Sequence, residues 1–314
     1  MKKIVHLLLI LPLITFVSCN NDDNGNLENE QQFQPNGIAL KSLFASNLNN
    51  IKQQTTFDSG QNFVFVSEKG TVVKIFANCM TKLDDTPVTG NVDFEFIEIY
   101  DRGTMLATNK ATVGKFGTEK RMLASGGEFH FKVSQNGETL KPSCHFQIIT
   151  PAINTGGLDS EMQGFVGTID ENGNLLWENF TGQEMWSGFN QEINQDAYTA
   201  FLNNFGWYNH DRFIDLGNGY TDVTYVLPQG FNASNSSIFM ASKTIPNSLA
   251  NAYVRAPIGL ELYYILVVES NGGFKYAIKP AQFVTQNMNV VFTLPEMQNG
   301  SIQQVIDAIN NLPQ

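Results

Sequence analysis

Along most of the chain, apolar and polar positions alternate with a period of two over short runs broken by Gly, Asn, Asp and Pro. This is the pattern of half-buried β-strands. It is present at residues 63–66, 72–76, 92–100, 128–134 and 146–150. In EFHFKVS (128–134) the alternation sends Phe129, Phe131 and Val133 to one face and His130 and Lys132 to the other, so His130 is expected on the solvent side. A second set of runs covers 221–227, 237–241, 260–269, 274–279 and 289–294, and LELYYILVVES is apolar enough to be a central strand. Between the sets, 162–177 reads as a hairpin turning at DENGN, residues 170–174. A helical period takes over at 196–204, where Ala197, Ala200, Phe201 and Phe205 share a face. It returns in SIQQVIDAINNL, where Ser301 is placed to cap and Ile302, Val305, Ile306, Ile309 and Leu312 form one stripe. The expected fold is mainly all-β: two β-sandwich modules, at 38–155 and 216–314, with a connecting hairpin and helix over 156–215 and a C-terminal helix.

The first residues break this pattern. MKKIVHLLLILPLITFVSC sets Lys2 and Lys3 before an apolar run too short to span a membrane, which reads as a secretory signal over residues 1–18. It ends with a small residue, Ser18, directly before Cys19, the pattern a lipoprotein signal peptidase requires, so Cys19 is expected to carry lipid. Residues 19–37 are rich in Asn, Gln, Asp and Glu without apolar periodicity, the composition of a disordered tether. As coil it would span about 20–25 Å. Asp22 and Asp23, just after the lipidated position, resemble the surface-export signal of Bacteroidota lipoproteins.

Charge and cysteine content narrow the partners. The formal charge is −11, and loss of Lys2 and Lys3 with the signal takes it to −13, which argues against nucleic acid and against an electrostatic membrane-docking face. Attachment to the membrane is therefore expected through the lipid alone. With Cys19 lipidated, Cys79 and Cys144 remain, an even pair in an oxidising compartment that is expected to be bridged, the alternative being two small buried apolar side chains. No CxxC, HExxH or His-rich tract is present, and DENGN lacks the spacing and closing Glu of a calcium loop, so no metal and no cofactor is expected.

Two stretches carry a family resemblance. PVTGNV (87–92), the strand after it, the corner DRGTML (101–106) and Gly126-Gly127 together resemble a β module of uncharacterised Bacteroidota outer-membrane and surface lipoproteins. TDVTYVLPQGF and APIGLELYYILVV are similar to the transthyretin-like modules appended to carboxypeptidases and surface proteins. FGWYNHDRF (205–213) resembles the family motif GWINCDRF, with Tyr208 and His210 as departures. These motifs imply Ig-like or transthyretin-like sandwiches and specify no activity.

Chemistry is sparse. No GxSxG, P-loop or dinucleotide fingerprint occurs, and only His130, His145 and His210 remain beyond the signal. The carboxylates nearest to a glycosidase pair are Glu95, Glu98 and Asp101, but positions three apart on one strand face opposite ways. FGWYNHDRF is expected to be a structural joint, with Phe205, Trp207 and Phe213 packed between the hairpin and the second strand set and His210 without an orienting partner. Trp177, Trp186 and Tyr208, with Tyr220 and Tyr225, gather around the junction of the strand sets; the first three are the candidate ligand-facing aromatics. The expected function is that of a non-enzymatic, lipid-anchored outer-membrane protein, exposed at the cell surface, serving adhesion, ligand capture or assembly with an envelope protein or glycan as partner. The alternative is an envelope hydrolase, or its accessory subunit, acting on glycan or peptide.

Overall fold

Wherever the alternation is strong, the chain is extended, and strands dominate the fold. A computed structural model describes residues 33–171, 173–180 and 185–314. Cys19, Asp22 and Asp23 lie outside the described residues. Residues Gln34–Gln314 make one compact unit.

The first strand set and the hairpin build two facing sheets. The larger has nine strands, and its main path runs Gln53–Asp58, Asn91–Ile99, Glu119–Gln135, Gly206–Phe213, Gln163–Ile169, Leu175–Asn179 and Val113–Phe116. Val113–Phe116 also pairs back onto Glu119–Gln135, so the last five of these strands close into a ring. The smaller sheet orders Met185–Asn190, Gln195–Leu202, Phe146–Pro151, Val72–Ile75 and Phe63–Val66. Between the sheets lie Phe94, Phe96, Phe129, Phe131 and Tyr208 from one side and Val73, Phe146, Ile148, Ala200 and Leu202 from the other. The rings interlock edge to face, as in Phe65 on Phe96 at 5.4 Å and Phe131 on Phe146 at 5.1 Å, the geometry that the ring quadrupole favours. Cys79 and Cys144 are joined as a disulfide with Cα atoms 5.2 Å apart.

One predicted helix is a strand. Residues 196–204 were expected to be helical from their alanine spacing, but Gln195–Leu202 is extended and paired on both sides, with Met185–Asn190 and Phe146–Pro151. Ala197 packs with Val72 and Ile149 on one face while Ala200 and Leu202 enter the core on the other. The inner face carries Tyr198, Ala200 and Leu202, while apolar Ala197 and half-buried Phe201 occupy outer-face positions where polar residues would mark a period of two, and the pairing overrides the local preference.

Three helices are present among the described residues: α1, Gly37–Asn50; α2, Arg102–Thr108; and α3, Ile302–Asn310. The first occupies the start of the expected first β module, where a strand-built segment was predicted, and the second the predicted corner. Asn36 caps α1 by accepting from the amides of Ile38 and Ala39 at 3.0 and 3.1 Å, and Leu40 and Phe44 are its buried apolar face. Asp101 caps α2 through the Thr104 amide at 2.8 Å. Ser301 and Gln304 form the capping box of α3.

The second strand set forms a five-stranded sheet in the order Leu249–Asn251, Ser237–Ser242, Glu261–Ser270, Gly273–Phe283 and Gln298–Gly300, with the predicted apolar strand at its centre. The DRGTML corner joins it to the first set. Arg102, 1% exposed, donates from Nε to the Ile309 carbonyl (2.7 Å), from Nη1 to Ser242 (2.9 Å) and from Nη2 to Leu312 (2.8 Å). Its guanidinium thereby satisfies carbonyls at the C-terminal end of α3, where a cation is also favoured by the helix dipole. Gly103 is required by the same contact, since a Cβ there would lie 2.4 Å from the Ile306 carbonyl oxygen.

Candidate functional site

FGWYNHDRF becomes the strand Gly206–Phe213, held in the interior of the nine-stranded sheet between Glu119–Gln135 and Gln163–Ile169. Its aromatic anchors do not reach the second strand set as expected. Phe205 packs on Phe146 at 5.1 Å, Trp207 on Trp177 at 6.2 Å, and Phe213 on Phe116 and Phe165 at 5.2 and 5.6 Å. The polar residues are the deeper ones: Asn209, His210 and Asp211 are all fully buried.

A bulge between Asn209 and Asp211 explains how so many polar groups fit. Across from it, the partner strand passes through Gly126-Gly127. Gly127 has φ +121°, and a Cβ on it would meet the Tyr100 ring at 2.6 Å, so the two glycines let the backbones close over His210. Contrary to expectation, His210 is oriented by several groups: Thr150 Oγ1 lies 3.2 Å from Nε2, while the Tyr208 hydroxyl (3.4 Å) and Met185 Sδ (3.1 Å) meet Nδ1. Burial pushes its pKa down to about 3, so the ring is neutral at physiological pH. His130 is likewise not simply solvent-facing. Its ring packs on Trp207 at 4.9 Å, tilted by 49°, and burial pushes its pKa down to about 4.

On the Trp207 side of the strand lies a sealed polar group. Asn209 Nδ2 donates to Asp211 Oδ2 (2.7 Å), Ser125 Oγ donates to Asn209 Oδ1 (2.9 Å), and Asn247 Nδ2 donates to the Ser125 carbonyl. Glu128, paired in register with Asn209, has no hydrogen-bond partner on either carboxyl oxygen, and Asp211 Oδ1 has none. Both acids are fully buried and hold their protons well above the usual carboxylate range. The main cause is loss of hydration; for Glu128 the neighbouring Asp211 adds to it and Lys110 opposes it. In the sequence Glu128 read as an ordinary strand position, and Asp211 and Arg212 as residues that each hold a turn or a backbone carbonyl rather than pair. Asp211 instead accepts from the Asn209 side-chain amide, and Arg212 pairs with Asp159 at 2.6 Å. As neutral carboxyls without solvent contact, Glu128 and Asp211 cannot touch a substrate in this structure.

The carboxylates singled out in the sequence, Glu95, Glu98 and Asp101, are structural anchors. Glu98 accepts from Ser67 Oγ (2.7 Å), Thr71 Oγ1 (2.9 Å) and the Lys69 amide (2.9 Å); Glu95 pairs with Lys52 at 3.0 Å; Asp101 caps α2. Asp170 closes its turn through the Asn174 amide at 2.8 Å. Among the described residues, no group of three or more His, Cys, Asp or Glu is placed to hold a metal ion.

The three candidate ligand-facing aromatics part company. Trp177 is fully buried inside the closed ring of strands, against Leu123, Phe165 and Leu175, with Nε1 donating to the Ala111 carbonyl at 3.2 Å. Tyr208 belongs to the core between the sheets. Neither faces a ligand, because ring closure and sheet stacking cover them. Trp186 is 48% exposed, on the edge strand Met185–Asn190 of the smaller of the two facing sheets. It stands edge-on to Phe201 at 5.9 Å beside a depression of about 340 Å³. The floor of the depression exists because Gly188 and Ala197, opposite each other in register, offer almost no side chain. Gln147, Asn190 and Thr199 supply amide and hydroxyl groups around it, with Asn190 Nδ2 donating to Thr199 Oγ1 at 3.2 Å, and no charged side chain lines it. Phe201 was missed as a ligand-facing residue because the expected helix placed it in the core.

No protein-family model, curated protein sequence or solved structure matches this chain. No helix among the described residues is long and apolar enough to cross a membrane.

Proposed function

We propose that the chain is a lipid-anchored protein of the outer membrane, exposed at the cell surface, that captures a neutral glycan on the outer face of the smaller of the two facing sheets without catalysing a reaction. The observation that carries this is the Trp186 depression: exposed aromatic rings, amide and hydroxyl groups, and no charge. Sugar rings present apolar C–H faces that stack on indole and hydroxyls that bond to amides, so uncharged polyols suit such a lining better than nucleotides or peptides with charged ends. The signal-like first residues and Cys19 support anchoring, and Asp22-Asp23 support export. The hydrolase alternative has less support: Glu95, Glu98 and Asp101 are engaged in ion pairing, loop anchoring and helix capping, and the adjacent acids Glu128 and Asp211 are sealed from solvent.

A glycan array probed with the wild-type chain and with Trp186→Ala tests it. Binding to a set of neutral glycans that falls at least tenfold in Trp186→Ala, at unchanged melting temperature, is expected. Equal binding by both proteins, or none by either, contradicts it.

A further inference from the structure

A second concavity lies on the far side of the nine-stranded sheet from its core with the smaller sheet. It is a slot of about 370 Å³ with one wall from α1 (Phe44, Ala45, Leu48), the other from the hairpin (Ile169), and Trp207 and Lys110 within it. Lys41 and Glu171 stand at its rim, Thr108, Asn109 and Lys110 at the end of α2 form its polar side, and the rest of the lining is apolar. Lys110 is only 6% exposed, yet its ammonium is met by the backbone carbonyls of Thr108, Gly173 and Asn109 alone, at 3.3, 3.4 and 3.5 Å, all long for a charged donor. No ion pair to it is formed among the described residues; Glu128 and Asp170 act on it only through space. Burial already lowers its pKa, and a neutral Glu128 offers it no counter-charge. A nine-tenths-buried cation held only by long carbonyl contacts and by Asp170 through space is costly unless an anion pairs with it directly. Its nitrogen also stands 5.9 Å from the centre of the Trp207 ring, which keeps it beside the apolar slot.

We propose that this slot binds a carboxylate carrying an apolar tail, the carboxylate pairing with the Lys110 ammonium and the tail lying between α1 and Ile169 over Trp207. An alcohol of the same length would gain the burial and not the ion pair, and an amine would meet like charge. The slot is distinct from the Trp186 face, and the two proposals stand or fall separately.

Calorimetric titration of the full chain in lipid nanodiscs with octanoate, octanol and octylammonium, empty nanodiscs subtracted, tests it. Saturable octanoate binding at least tenfold tighter than octanol, with no octylammonium binding, is expected. Lys110→Met should reduce octanoate affinity to that of octanol. Because Lys110 also holds carbonyls at the end of α2, that variant is paired with Ala45→Trp, a change at an exposed helix position that fills the slot and should abolish binding of all three probes. Absence of octanoate binding, octanol binding as tightly, or an Ala45→Trp protein that binds like wild type would each overturn it.

Discussion

Glu128 and Asp211 make the stability of this protein depend on pH in a definite direction. Both carboxyls titrate well above their ordinary values in the fold, so their contribution is fully present below the unfolded pKa near 4 and is lost as pH rises toward the folded value. His210 and His130 act oppositely: their folded pKa values are lowered, to about 3 and about 4, so their contribution is present above pH 6.5 and lost as pH falls. Above pH 6.5 the histidine contribution is constant, and the acids lower the stability as pH rises. Glu128→Gln should therefore gain stability over wild type as pH rises from 7, by up to about 1.4 kcal/mol per pH unit while the acid stays protonated. Urea unfolding of both proteins at pH 7 and 8.5 reads this, and parallel curves would mean that Glu128 ionises freely in the fold. None of this was legible in the sequence, because the burial of Glu128 and Asp211 comes from a bulge and a ring of strands that no local pattern announces.

Among the elements, the strongly alternating strands and α3 were legible from their own residues, since a half-buried strand and a surface helix each write their exposure into a period. Gln195–Leu202 was not, because apolar Ala197 and Phe201 on its open face blur that period and the two alanines suggest a helix. α2 was missed because a seven-residue helix marked mainly by its capping Asp101 offers little apolar stripe to count. α1, by contrast, does carry Leu40, Leu43, Phe44 and Leu48 at helical spacing behind Asn36, a signal missed among its Ser and Asn residues. α2 nonetheless has a measurable task, since Arg102 in its first turn holds α3. Arg102→Met should cost at least about 3 kcal/mol by leaving three carbonyls without their donor. The loss should appear first as fast amide exchange in α3; protection there equal to wild type would show that the helix stays without its clamp. The disulfide acts on the first strand set instead. Reducing Cys79–Cys144, 65 residues apart, should cost about 4 kcal/mol at most, seen as a lower melting temperature in reductant, and an unchanged one would assign the bridge no stabilising role.

For the whole molecule, the fold places a covered core, a clamped C-terminal helix and one open sheet face on a single compact unit, and the proposed anchor tethers that unit to a membrane. Cys19→Ala should abolish incorporation of labelled acyl chains, and a mutant still labelled would remove the anchor from the account. Of the binding face, Trp186 was legible as a candidate and its surroundings were not, because Gly188, Ala197 and Phe201 acquire their roles only through strand pairing. Capture on that face is most directly tested in living cells by replacing Phe201 with a photocrosslinking benzoylphenylalanine, with and without Trp186→Ala. The account predicts an adduct that carries glycan and disappears with Trp186→Ala; no adduct, or one that forms equally without the indole, would contradict it.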